Sequence, residues 1–102
     1  MATTEMDFLN MGLSGAYVHT ETLTNIPVTS AWGGLYKSDS IQRTISGLDG
    51  KRFIATYVAD AGTADAILTV DRTGLTDTIW FMLSRPTSVA SLSGKVYMLI
   101  FD

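Results

Sequence analysis

Histidine occurs once in the 102 residues, as His19, and cysteine does not occur. In the run "AYVHTETLTNIPV" His19 stands two residues before Glu21, so on an extended strand the two side chains share a face and can meet. An imidazole beside a carboxylate is half of a general-base arrangement. The other half is not marked, because no G-x-S-x-G elbow and no thiol accompany the pair. A lone histidine on a strand is mostly structural. The phosphate-cradling glycine signatures and H-E-x-x-H are missing as well.

Chemistry built on oxygen alone needs only carboxylates in a loop. Asp60 and Asp65 bracket "DAGTAD", and Asp71 and Asp77 bracket "DRTGLTD". Neither follows the D-x-[DN]-x-[DN]-G loop, and each supplies two carboxylates where calcium takes about six to eight oxygens. Aspartates so placed form Asx-type turns or solvate a loop. A glycosidase pair is not marked either, since these acids lie in turns. The residues therefore identify no catalytic group, no cofactor site and no metal site, and the chain reads as a non-enzyme.

Two aromatics remain, Trp32 and Tyr36, set around consecutive glycines in "SAWGGLYKSDS". They have two readings: a stacking platform for a sugar ring, or a plug at the end of the core or at a subunit contact. Trp80, inside an all-apolar run, reads as core or interface. The glycines between Trp32 and Tyr36 read as a loop or tight bend.

Composition narrows the partners. The net charge is −3, and Lys51-Arg52 is the one adjacent basic pair, which excludes a phosphate-backbone footprint. The N-terminus has neither a basic n-region nor a continuous apolar run, so it is not read as a secretory signal. "IWFML" and "VYMLIF" are too short to cross a bilayer as helices. A soluble protein with no nucleic-acid or membrane partner is expected. Hydrophobic residues make up 46% of the chain and charged ones 17%, against about 25% charged in ordinary soluble domains.

The elements that must position these residues are strands. Threonine recurs at every second position, and β-branched residues at period two favour extended structure. In the first run Val18, Thr20, Thr22, Thr24 and Ile26 share one face, while Tyr17, His19, Glu21 and Leu23 share the other; Pro27 places the run at a sheet edge or ends it. "RTISGLDGKRFIATYV" carries Asp49-Gly50 between alternating runs, the signature of a type I′ hairpin. A two-residue loop sets Leu48 against Lys51, Ile45 against Ile54 and Ile41 against Val58, with Phe53, Ala55 and Tyr57 on the opposite face. A bulge at Gly50 would reverse every face. Asp65 to Thr73 reads as a strand with Leu68 and Val70 on one face, and a helix capped by Gly74 is the alternative. "TIWFMLS" and "VYMLIF" are apolar at nearly every position, as strands covered on both sides are. "TSVASLSG" reads as the polar loop between them.

About seven to eight short strands, with no long helical pattern, describe an all-β antiparallel β-sandwich or jelly roll. Residues 1–13 read as a short N-terminal arm and 14–102 as a single domain. Such a chain has more apolar sheet surface than its own core covers, which points to a homo-oligomer. The expected interface residues are Phe53, Tyr57, Tyr97, Leu99 and Phe101. Along "VYMLIF" alternation assigns Val96, Met98 and Ile100 to the core face and the aromatic set to the outside.

From "WGGLYKSDS" through "ISGLDGKRF" to "GKVYMLIFD" the chain resembles, in cadence, the Gly-, Ser- and Thr-punctuated β-domains of bacteriophage structural proteins such as fibre tips and capsid decoration proteins. The likeness covers most of the chain without a diagnostic motif. It implies a virion-associated protein, assembled in the host cytoplasm, commonly trimeric and bound to another virion structural protein, with a host-surface glycan as a further ligand. It carries no site residue over. The start methionine and small size point to a separate accessory subunit. The alternative function is a carbohydrate-binding module that uses Trp32 and Tyr36.

Overall fold

The computed structural model describes residues 15–102, so the expected arm over residues 1–13 lies outside the described residues. Every regular element within them is a strand: β1 (Tyr17–Val28), β2 (Ser30–Trp32), β3 (Leu35–Lys37), β4 (Ile41–Thr44), β5 (Arg52–Ala59), β6 (Ile67–Arg72), β7 (Thr78–Arg85) and β8 (Val89–Phe101). The fold is all-β, as the threonine periodicity requires, and residues 67–72 are strand and not helix. Two antiparallel sheets result. Sheet A has the order β1-β8-β5; in sheet B β7 is central, with β6 on one edge and β3 followed by β4 on the other, and β2 beyond β3.

One apolar cluster draws on both sheets. β7 contributes Ile79, Phe81 and Leu83, and β8 contributes Leu92, Val96, Met98 and Ile100, all fully buried. Alternation in "VYMLIF" thus runs as its side-chain period dictates, with Val96, Met98 and Ile100 inside. Leu23 and Val28 come from β1, and Ile45 and Leu48 from the segment that follows β4.

β8 is longer than its apolar run. It begins at Val89, so residues 89–94 of the polar stretch read as a loop are its first half. The reason is pairing: Leu92 lies opposite Ile26 and Gly94 opposite Leu23 on β1, and these contacts hold Ser91 and Ser93 extended. Two strands are long rather than short, twelve residues in β1 and thirteen in β8. Within β1 the alternation breaks at Asn25, whose φ of 54° is left-handed. The extra residue between Leu23 and Ile26 is a β-bulge. It moves Ile26 from the expected company of Val18 and Thr20 to the core side, where it packs on the buried cluster. Ser93 Oγ accepts the Asn25 N–H at 3.0 Å, and Ser91 Oγ donates to Asn25 Oδ1 at 3.0 Å, so the bulge is fastened to β8. Pro27 does lie in an edge strand, β1.

The expected Asp49-Gly50 hairpin does not form. β4 pairs with β7 in sheet B, and β5 pairs with β8 in sheet A, so the chain crosses between sheets there. A tight turn is present, closed by the Lys51 N–H to the Leu48 carbonyl at 2.9 Å. Gly50 has φ 78°, whereas Asp49 is not among the residues of positive φ. That is the type II pattern, and a type I′ turn needs both central residues positive. A preceding turn, Leu48 N–H to Ile45 carbonyl at 3.1 Å, lengthens the crossover.

Arg72, at the end of β6, holds this crossover in place. Its guanidinium donates to the carbonyls of Thr76 at 2.8 Å, Lys51 at 2.7 Å and Leu48 at 3.0 Å, and lies 5.4 Å from the Phe53 ring. The Gly50 N–H to Leu75 carbonyl bond, 2.7 Å, adds a further tie. Between β3 and β4 the ladder is continued by a side chain: the buried Ser38 hydroxyl accepts the Leu83 N–H at 3.0 Å and donates to the Asp39 carbonyl.

Candidate functional site

Because β5 joins β8, its two faces are sorted by the partner strand. Phe53 pairs with Ile100, Ala55 with Met98 and Tyr57 with Val96, all on the core side. Arg52, Ile54, Thr56 and Val58 therefore face outward, and sheet A presents an outer surface of three strands in register. Val18, Leu99 and Ile54 form one row across β1, β8 and β5; Thr20, Tyr97 and Thr56 form the next; Thr22, Lys95 and Val58 the third. Phe101 and Arg52 lie beyond the first row.

The apolar members of this surface are open to water. Ile54 is 62% exposed, Val18 52%, Val58 49% and Tyr97 38%; Leu99 and Phe101 are half-buried. Apolar side chains of this size gain about 1.5–3 kcal/mol each when fully covered. Contiguous patches of this kind mark interaction surfaces more often than chance would place them on a monomer.

Charges stand at its two ends. Lys51 Nζ meets Asp102 Oδ1 at 2.6 Å, and Arg52 donates to the Asp102 carbonyl at 2.7 Å while its guanidinium lies 5.5 Å from the Phe101 ring. The hydrogen bond from Lys51, then its charge, holds the Asp102 carboxyl below the ordinary 3.8, and the same contact raises Lys51 above 10.5. At the opposite end Lys95 Nζ is 4.0 Å from Asp60 Oδ1.

Of the five expected interface residues, Tyr97, Leu99 and Phe101 lie together on this outer surface. Phe53 and Tyr57 do not: they are half-buried against the core on the other side of β5. The tyrosine ring lies across Gly94, where an added Cβ would come within 2.6 Å of its hydroxyl. That hydroxyl is out of contact with water and unpartnered, and burial, followed by the charges of Asp60 and Asp65, raises its pKa. Ile54, Val58 and Val18 take the places expected for Phe53 and Tyr57. β5 is apolar on both faces, so no signal within it distinguishes inside from outside.

Trp32 and Tyr36 belong to β2 and β3, which form a two-residue hairpin through Gly33-Gly34. Ala31 pairs with Tyr36, and Trp32 with Leu35, so the two aromatics point to opposite faces. Tyr36 packs on the core; Trp32 is 51% exposed, with Lys37 Nζ 5.4 Å from its ring. A single sugar ring cannot stack on both. Trp80 is half-buried on the outer side of sheet B, in one row with Gln42 and Asp71.

His19 and Glu21 do meet, Nε2 to Oε2 at 3.3 Å, and Arg43 Nε from β4 approaches Glu21 at 3.8 Å. The His19 Nε2 makes no directed hydrogen bond, so the two side chains are in close approach only. The four aspartates serve turns and strands: the Thr63 N–H and hydroxyl bond the Asp60 carbonyl, Arg85 bonds that of Asp65, and Ile45 that of Asp77, while Asp71 is exposed on β6. Among the described residues no three His, Cys, Asp or Glu side chains are grouped to hold a metal ion. Compared with protein-family models, curated proteins and solved structures, the chain matches none.

Proposed function

We propose that this chain is a non-enzymatic, virion-associated structural protein, folded as a β-sandwich, that homo-oligomerises through the outer surface of sheet A and binds another structural protein of capsid-decoration or tail-fibre type. The observation that carries the oligomer reading is the row Val18–Leu99–Ile54 with Tyr97 beside it, apolar across three paired strands and open to water. The resemblance in cadence to phage β-domains supplies the virion setting and the partner. Light scattering on the purified protein, with and without candidate capsid or tail proteins, tests it. Tyr97→Asp should give a folded monomer by circular dichroism; wild type that is monomeric at every concentration overturns the reading.

A second reading, carbohydrate binding, rests on the exposed indole of Trp32 alone. A glycan array decides it. Trp32→Ala should abolish any binding seen while moving the denaturation midpoint by no more than about 0.5 kcal/mol, since the side chain is half in water. An array with no ligand ends this reading.

A further inference from the structure

Outward residues of β5 and its continuation run Arg52, Ile54, Thr56, Val58, Asp60. Asp60 belongs to the same side, since its carboxylate is 4.0 Å from Lys95, which lies in the row of Val58. The series is cation, apolar, threonine, apolar, anion. Read from the other end it is the same series with the charges exchanged. We propose that a second copy of this chain packs on the outer surface of sheet A, about a two-fold axis that crosses the strands at the row Thr20–Tyr97–Thr56, so that Arg52 of each copy meets Asp60 of the other. This rests on the oligomer reading above and specifies its contact.

The axis follows from the charge pattern. A two-fold running along the strands would set each row on itself and leave Asp60 without a cation from the partner. The axis across the strands inverts the rows. Ile54 then covers Val58, Tyr97 meets Tyr97 in the offset geometry that aromatic pairs favour, and Leu99 receives the aliphatic stem of Lys95. Within the opposed rows no like charges meet, since Lys95 faces Leu99 and Arg52 faces Asp60, while Asp102 lies one position beyond the last row. Aligned sheets pack about 10 Å apart with a rotation of about 30°. Arg52 and Asp60 lie four residues from the axis, about 14 Å, so that rotation displaces them by about 7 Å, a distance that the arginine side chain spans.

Area sets the strength. Three strands about 4.8 Å apart and nine residues at about 3.4 Å give a surface of about 15 by 30 Å, hence about 900 Å² over both copies. That is below the roughly 1,200 Å² at which stable interfaces begin. The contact is therefore a concentration-dependent dimer with salt-sensitive ends. An isologous contact closes at two copies, which replaces the trimer expected from the resemblance.

Sedimentation equilibrium of the full chain over a range of concentration and salt, with Arg52→Asp, Asp60→Arg and the double variant, tests the proposal. Wild type should be in monomer–dimer exchange that weakens with salt. Each single variant should raise the dissociation constant about tenfold or more, and the double variant should restore it to within about threefold. Circular dichroism confirms that all three are folded, which the exposure of both residues predicts. Single variants that associate like wild type, a double variant no better than either single one, or a trimer mass would overturn this contact and leave the oligomer reading standing. Wild type that never associates would end both.

Discussion

Gly33-Gly34 is a two-residue corner between paired strands, whereas Asp49-Gly50 is the second of two successive turns in the connection over residues 45–51; the first returns the chain into its own sheet and the second helps to send it across to the other. At the first, both residues have positive φ, 56° and 88°, and Trp32 pairs with Leu35 directly. Its twist matches the strands it joins, so β2 and β3 stay together. At the second only Gly50 is positive. A turn of that kind does not lay the chain back beside itself, and together with the preceding Ile45–Leu48 turn it frees β4 for β7 and β5 for β8. The difference teaches that a Gly-containing tight turn makes a hairpin only when its twist and the length of the whole connection both bring the next strand alongside. The outer surface of sheet A, with Ile54 and Val58 on it, exists because the second corner is a crossover.

The largest test of this difference is Arg72→Ala. The guanidinium holds the crossover carbonyls of Leu48 and Lys51 and plays no part in the Gly33-Gly34 corner. Hydrogen bonds to a charged donor contribute about 1.5–3 kcal/mol each, so the variant should lose about 3 kcal/mol or more in equilibrium denaturation. An unchanged midpoint would mean that the crossover stands without the clamp.

Proline separates the corners more sharply. Gly33→Pro forces a residue fixed near −65° into φ 56° and should destabilise the fold by about 2 kcal/mol. Asp49→Pro should leave the midpoint within about 0.5 kcal/mol, since proline favours the first central position of a type II turn and Asp49 donates no hydrogen bond among the described residues. Equal losses in urea unfolding would show that both corners are of one type.

The smallest effect is the acid limb. The folded pKa of Asp102 is lowered, so the contact with Lys51 is fully present above the ordinary 3.8 and is lost as pH falls through the folded value. Lys51, raised, loses the same contact only as pH rises past 10.5. Amide shifts of residues 51 and 52 should therefore move below about pH 4 in an NMR titration, and Asp102→Asn should abolish that movement. The hairpin over residues 30–37 contains no carboxylate side chain and should stay still; movement there would tie the two corners together.

Much of the site was legible along "VYMLIF". Its alternation separated Val96, Met98 and Ile100 from Tyr97, Leu99 and Phe101, because side-chain period on a strand is a local property. Phe53 and Tyr57 were not legible. β5 carries apolar side chains on both faces, so its inside is chosen by Ile100, Met98 and Val96 across the ladder. The bulge at Asn25 was hidden for the same reason, since it answers to Ser91 and Ser93, some seventy residues away.

By itself the sequence determined that the described residues are built of strands, where those strands lie along β1, β5 and β7, and that the chain turns at Gly33-Gly34 and Asp49-Gly50. Steric preferences of β-branched residues, proline and glycine act within a few residues and need no partner. Only the tertiary structure decided which strands pair, that Asp49-Gly50 leads between sheets, and that Ile54 and Val58 face water while Phe53 and Tyr57 do not. Local conformational energies are nearly equal for either face of an all-apolar strand. The difference arises when the burial of whole faces against β7 and β8 is compared, and that burial belongs to the assembled sheets.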